Sequence, residues 1–331
     1  MKAQRRQALR ALVATAACAI AALSGPTPAW AQKFPDKQIR LVVGYSAGGG
    51  VDIVARLLAQ RLSAVLGQQV LVDNRTGATS LIAADVVAKA PPDGYTLMMA
   101  DSALLIAKLL QPKIALDPLT SFKPVAGAFQ SPLMIIAGND FPAHTPAQLI
   151  ALLKSHPGQY SFATSGVGTV HHLGFEMLKQ QTGAYVVHVP YRGAAQIVPD
   201  VIGGQIPIGV VSATAGMQQA KAGKLQALAM MNKAPLEGAE KVPPLADALP
   251  GFDVAPRIFA LAPAGTPDVI VEQLSSAIKT VLDNPETATA AAAQGTLLAY
   301  ATPEQLARQM ADESASWKRI ISKQHISVEG N

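Results

Sequence analysis

The sequence predicts an α/β protein of two lobes, each built on a helix-flanked, mainly parallel sheet. Three observations carry this expectation. Short β-rich runs alternate with helical patterns from residue 38 onward, the signature of sheets covered by helices. A unit of strand, glycine-rich loop and helix occurs twice, far apart in the chain. The 331 residues are also ample for two cores.

The elements follow in order. Residues 39–43 form the first strand, and after glycines 48–50 the apolar residues Val54, Leu57, Leu58, Leu62 and Val65 recur at helical spacing before the stop at Gly67. A strand at 70–72, a helix at 81–89, a turn at 91–94 and a strand at 95–99 come next. The second unit has a strand at 160–163, a polar loop at 164–169 and a helix at 170–181 ahead of Gly183. A third variant follows, with a strand at 185–189, a turn at 190–193, a helical stretch to Ile202 and a strand at 206–211. Pro199 lies inside that stretch, so its helix is kinked or starts late. Residues 269–282 and 303–322 are patterned as amphipathic helices. With lobe crossings placed at Gln130 and Arg257, residues 32–130 and 258–331 make the first lobe and 131–257 the second.

The N-terminus sets the compartment. Lys2, Arg5, Arg6 and Arg10 precede an uncharged run over 11–23, then Ala29-Trp30-Ala31, which reads as a secretory signal over 1–31 cleaved after Ala31. The run is shorter than the roughly 20 residues of a spanning helix. The remaining 300 residues carry 23 Lys+Arg against 22 Asp+Glu, so the basic charge belongs mostly to the signal. Without a Lys/Arg cluster beyond it, nucleic-acid binding is excluded. The single cysteine, Cys18, lies in the signal, which excludes disulfides, a thiol nucleophile and a cysteine metal site from the mature chain. A soluble periplasmic monomer without cofactor or metal is expected.

Two loops carry the chemistry. Tyr45-Ser46-Ala47-Gly48-Gly49-Gly50 brings backbone N–H groups to a helix start, where anions are attracted and glycine lets a ligand approach closely. An ordinary strand-to-helix turn is the equally weighted structural reading. In the second loop Ser165, Gly166 and Thr169 precede another helix start; Thr169 alone reads as a helix cap. Two such loops at strand ends of opposing lobes would face one crevice and could share one anion. Asp52, two residues past the glycines, either accepts a ligand amine or orients the loop, while Arg56 pairs with it at i,i+4 spacing. His171 and His172 point about 100° apart on a helix and line a pocket or face solvent rather than bind a metal. Tyr191 offers an aromatic cleft wall and Arg192 a guanidinium. Ser80, Ser102 and Ser212 complete the ligand-site candidates, and no catalytic residue is assigned.

The nucleotide readings fail on residue identity, and the nucleophile elbow of a hydrolase is absent. The third glycine of a dinucleotide fingerprint would fall on Ile53, no Gly-Lys-Ser/Thr occurs, and Ala163 stands where a nucleophile elbow around Ser165 needs glycine.

The ordered motifs resemble a known family over essentially the whole mature chain. They are Ile39-Arg40-Leu41-Val42-Val43 leading to Ala47-Gly48-Gly49, Asp52 and Ala55-Arg56; Leu66-Gly67-Gln68; Asn74-Arg75; Pro92-Asp93-Gly94-Tyr95-Thr96-Leu97; Ser165-Gly166-Val167-Gly168-Thr169 with His172-Leu173; His188-Val189-Pro190-Tyr191; Gly203-Gly204-Gln205; Gly223-Lys224-Leu225; and Ala262-Pro263-Ala264-Gly265-Thr266-Pro267. This set resembles the Bug-type solute receptors of tripartite tricarboxylate transporters. The resemblance implies a Venus-flytrap fold of the type II-like periplasmic binding proteins. Its lobes would close on a small carboxylate held by the first glycine loop and the Ser165 loop, and pass it to the integral-membrane transporter subunits. The sequence departs from the family's usual Pro-Phe near Gly44-Tyr45, Pro at Thr76, Gly-Gly at Thr79-Ser80 and acidic-polar pair near Val211-Ser212, all on or near the expected cleft. A receptor that signals to a sensor protein and a hydrolase using Ser165 with a histidine are the alternatives.

Overall fold

The computed structural model describes residues 34–191 and 196–327, so the expected signal over 1–31 and Arg192 lie outside the described residues. The first lobe opens with β1 (Ile39–Val43), whose branched residues are buried between two parallel neighbours, β2 (Val70–Asn74) and β3 (Thr96–Asp101). Between β1 and β2, α1 (Gly50–Leu66) starts at an N-cap glycine without a side-chain cap and ends where Gly67 takes φ 66°. α2 (Leu81–Ala88) connects β2 to β3, and α3 (Ser102–Leu110) follows β3 directly. β4 (Phe122–Gln130) then carries the chain out of the lobe.

The second lobe contains β5 (Leu133–Ala137), α4 (Pro146–Ser155), β6 (Ser161–Thr164), α5 (Val170–Thr182), β7 (Val187–Pro190), α6 (Ile197–Ile202), β8 (Ile208–Ser212), α7 (Ala213–Lys221) and β9 (Gln226–Met230). Pro199 falls in the first turn of the short α6, where proline does least harm. The chain returns to the first sheet through β10 (Arg257–Pro263), α8 (Asp268–Leu282), α9 (Pro285–Ala293), β11 (Leu297–Ala301) and α10 (Pro303–Lys323). Among the described residues the sheets have the orders β11-β4-β10-β3-β1-β2 and β7-β6-β8-β5-β9.

Both sheets are mixed, which corrects the expectation of mainly parallel ones. β10 runs antiparallel to β3 and β4, β11 to β4, and β5 to β8 and β9. The cause is connectivity. β4 leaves the first sheet and β10 re-enters beside it, so Gln130 lies opposite Arg257 and the pair must run in opposite directions. The next residues continue that pairing, with the Ser131 N–H donating to the Pro256 carbonyl at 2.9 Å.

Separate cores fill the lobes. Val42, Met98, Phe259 and Leu261 lie in the first, whereas Ile135, Phe162, Phe175 and Ile208 lie in the second. α10 joins them. It begins at a capping box of Thr302 and Gln305 with Pro303 in the first turn, places Leu306 and Met310 in the first core, and places Trp317 and Ile320 in the second. At about 2 kcal/mol or more per fully buried large apolar side chain, each half of this helix is firmly held.

Candidate functional site

β1, β3, β6 and β8 deliver their carboxyl ends to one crevice, the position where open α/β sheets bind ligands. A cavity of about 310 Å³ lies there. The first lobe lines it with Tyr45, Gly49, Gly50, Val51 and Ile53 around the start of α1, and with Asp101 at the start of α3. The second lobe contributes His171 from the first turn of α5, and Ser212 and Thr214 from the start of α7. Ser131 and Pro256 line it at the paired segments beyond β4 and before β10, while Gln294 and Thr296 reach it from the turn between α9 and β11.

The first glycine loop is built differently from the expectation. Gly48 adopts φ 81°, and its N–H, expected to face an anion, donates to Asp52 Oδ2 at 2.8 Å. The Gly49 N–H donates to the Ser46 carbonyl at 3.1 Å. Asp52, only 1% exposed, also accepts Arg56 Nε at 2.9 Å and Asn74 Nδ2 at 2.8 Å. Burial alone would raise its pKa, yet these bonds from Arg56, Asn74 and Gly48 outweigh it and hold the carboxyl at about 2. Asp52 therefore orients the loop, with both carboxylate oxygens hydrogen-bonded within the lobe, and it does not line the cavity. Ser46, Ala47 and Gly48 are exposed and do not line the cavity, whereas Tyr45 and Gly49 do.

Tyr45 donates its phenol hydrogen to Asp101 Oδ1 at 2.7 Å. Burial pushes Asp101 up to about 6 against the pull of the Tyr45 hydroxyl, and burial with the Asp101 charge raises Tyr45 well above its ordinary value. Ser80 is 1% exposed and left-handed at φ 68°, and any Cβ on Gly44 would strike it. It supports the loop from behind rather than lining the cavity. Ser102 is likewise displaced from the ligand set, because its fully buried hydroxyl accepts the Arg257 N–H at 2.9 Å where β10 begins.

In the second loop Thr169 proves to be the helix cap. Its hydroxyl accepts the His172 N–H at 3.3 Å and donates to the Gly166 carbonyl at 2.9 Å, which leaves Thr169 and Gly166 tied to each other. Ser165 Oγ lies 3.3 Å from His171 Nδ1, and it is His171 that lines the cavity. Burial lowers the His171 pKa to about 4, so the imidazole is neutral at pH 7. His172 points the other way, accepting the Gly168 N–H at 3.2 Å and stacking on His188 at 3.8 Å. Tyr191 is committed elsewhere too: its hydroxyl donates to Asp200 Oδ2 at 2.6 Å, and this bond pushes its pKa up to about 12. Ser212 caps α7 by accepting the Ala215 N–H at 3.4 Å while lining the cavity.

Of the candidates, Tyr45, Gly49, His171 and Ser212 thus meet at one cavity. Asp101, Thr214, Gln294 and Thr296 were missed. Asp101 carried a local signal, a charge ending an apolar strand immediately before a helix.

The family model for the tripartite tricarboxylate transporter family receptor matches residues 54–326. Protein BugT of Bordetella pertussis (strain Tohama I) is 32% identical over 313 residues, covering 94% of this chain and 96% of its own. R. palustris Rpa4515, solved with adipate, superposes with a TM-score of 0.76 at 29% identity, over 89% of this chain and 99% of that one. MatC from Rhodopseudomonas palustris with bound malate gives a TM-score of 0.70 at 28% identity, over 87% and 100%. Matched across most of its length in sequence and in its two-lobed fold, the chain belongs to the receptor family of the tripartite tricarboxylate transporters.

Proposed function

We propose that this chain is a non-enzymatic periplasmic receptor. It is exported by the signal over residues 1–31, captures a small carboxylate between its lobes and presents it to the membrane subunits of a tripartite transporter. The observation that carries this reading is the convergence of the starts of α1, α3, α5 and α7, from both lobes, on one cavity. Helix starts present N–H groups and positive dipole ends to an anion without any cationic side chain. Adipate and malate in the two solved relatives support the ligand class. On this reading the chain crosses between the lobes at Gln130 and Arg257, which lie opposite each other.

A thermal-shift screen over monocarboxylates, dicarboxylates, hydroxy acids and amino acids tests the reading, since a ligand at about 100 times its Kd adds roughly 2.7 kcal/mol. Stabilisation by carboxylates and loss of their uptake on deleting this chain or the membrane subunits is the expected result. Stabilisation by neutral sugars alone would overturn it. The 3.3 Å contact of Ser165 with His171 favours one competing reading, an ester hydrolase, and turnover of carboxylate esters abolished by Ser165→Ala would establish that instead.

A further inference from the structure

The two sides of the cavity differ electrostatically. In the first lobe, each helix start that reaches the cavity carries its own carboxyl group: Asp52 in the first turn of α1, and Asp101 at the N-cap of α3. Asp101 offsets the positive end of α3, worth about half an elementary charge, whereas the charge of Asp52 is paired with Arg56 at 2.9 Å. In the second lobe, α5 and α7 have no acidic residue in their first turns, and their starts are capped by the neutral hydroxyls of Thr169 and Ser212. Among the described residues no lysine or arginine lines the cavity, and Asp101 is the only carboxyl that does. The first-lobe side of the cavity therefore carries its one lining carboxyl, and the helix starts of the second lobe carry none.

Resting on the carboxylate reading above, we propose that the cavity selects ligands with a single carboxylate. That group lies against the starts of α5 and α7, and the uncharged or donor-bearing end of the ligand meets Tyr45 and Asp101. A second carboxylate spanning the cavity would come to rest beside Asp101 with no cation to neutralise the pair. Like charges in a partly desolvated site repel strongly. The apolar side chains of Val51, Ile53 and Ile258 line the same side and suit a hydrocarbon body better than a second anion.

Matched acids that differ by one carboxylate supply the test: butyrate with succinate, hexanoate with adipate, and benzoate with terephthalate, each titrated calorimetrically into the full mature chain at pH 7.5. The monocarboxylate of at least one pair is expected to bind tenfold or more tightly than its partner. Asp101→Asn, which keeps the acceptor for Tyr45, is expected to bring that pair within threefold by strengthening the diacid. Thr214→Asp, at an exposed position of the α7 start, is expected to weaken the monocarboxylate at least tenfold while keeping the wild-type circular dichroism spectrum. A dicarboxylate that binds most tightly to the wild type, or a preference that Asp101→Asn leaves unchanged, overturns the proposal while the receptor function stands. If no acid in the set binds, the carboxylate reading fails and the proposal fails with it.

Discussion

Asp52→Asn isolates the clasp that shapes the first loop. The wild-type carboxyl is lowered from 3.8 to about 2 in the folded chain. At 1.36 kcal/mol per pKa unit that shift corresponds to about 2.4 kcal/mol of stability at neutral pH. The side chain of Arg56 is 52% exposed, so solvent screening reduces the expected loss to about 1–2 kcal/mol. A depressed carboxyl pKa contributes stability that is complete above the unfolded value and lost as pH falls through the folded one. The gap between wild type and Asp52→Asn should therefore be constant from pH 7 to about 5 and close between about pH 4 and pH 2. Urea unfolding at a series of pH values reads this gap directly. Equal stability at pH 7, or a gap that persists unchanged to pH 2.5, would refute the assignment of the three bonds to an ionised Asp52. Because the same bonds fix Gly48, the variant should also bind its ligand more weakly at neutral pH.

Three further outcomes are expected. Gly295, at φ 65°, sits so close to Thr214 that any Cβ would collide with the threonine hydroxyl. Gly295→Ala should therefore hold the lobes apart, raising Kd and the ligand-bound radius of gyration by small-angle scattering, and adding Thr214→Gly should partly restore both. Trp317→Ala should cost about 3–5 kcal/mol by calorimetry, as for a large aromatic removed from a core. Asp101 is the reverse of Asp52. Its pKa is raised to about 6, so its contribution is full below about 3.8 and is lost as pH climbs through 6; Asp101→Asn should flatten the fall in stability between those limits.

Local rules made much of this protein legible. Branched residues at 39–43, glycines at 67 and 183, and the spacing after Pro303 fixed strands and helices because these signals act within a few residues. The antiparallel return of β10 was hidden, since nothing in its sequence says which strand it will lie beside. The site was legible to the same extent. The loop at 45–49 announced a helix start, but not that Asp52 would take the Gly48 N–H, because a side chain of the first turn and a ligand compete for the same donor. Thr296 and Gln294 came to the cavity from the far end of the chain through the topology of β11, a contact no local pattern encodes.

The helix that enters both cores has a practical corollary. The sequence contains two tryptophans, Trp30 and Trp317, and only the second lies among the described residues. That indole is 4% exposed, belongs to the second-lobe core, and donates its N–H to Glu313 at 3.1 Å one turn earlier on a helix rooted in the first. Relative motion of the lobes is expected to shift this indole. With the proposed signal over 1–31 removed, Trp317 would be the one tryptophan of the chain, at the junction of the two cores, so that solute capture is expected to register as a change in tryptophan emission without any label.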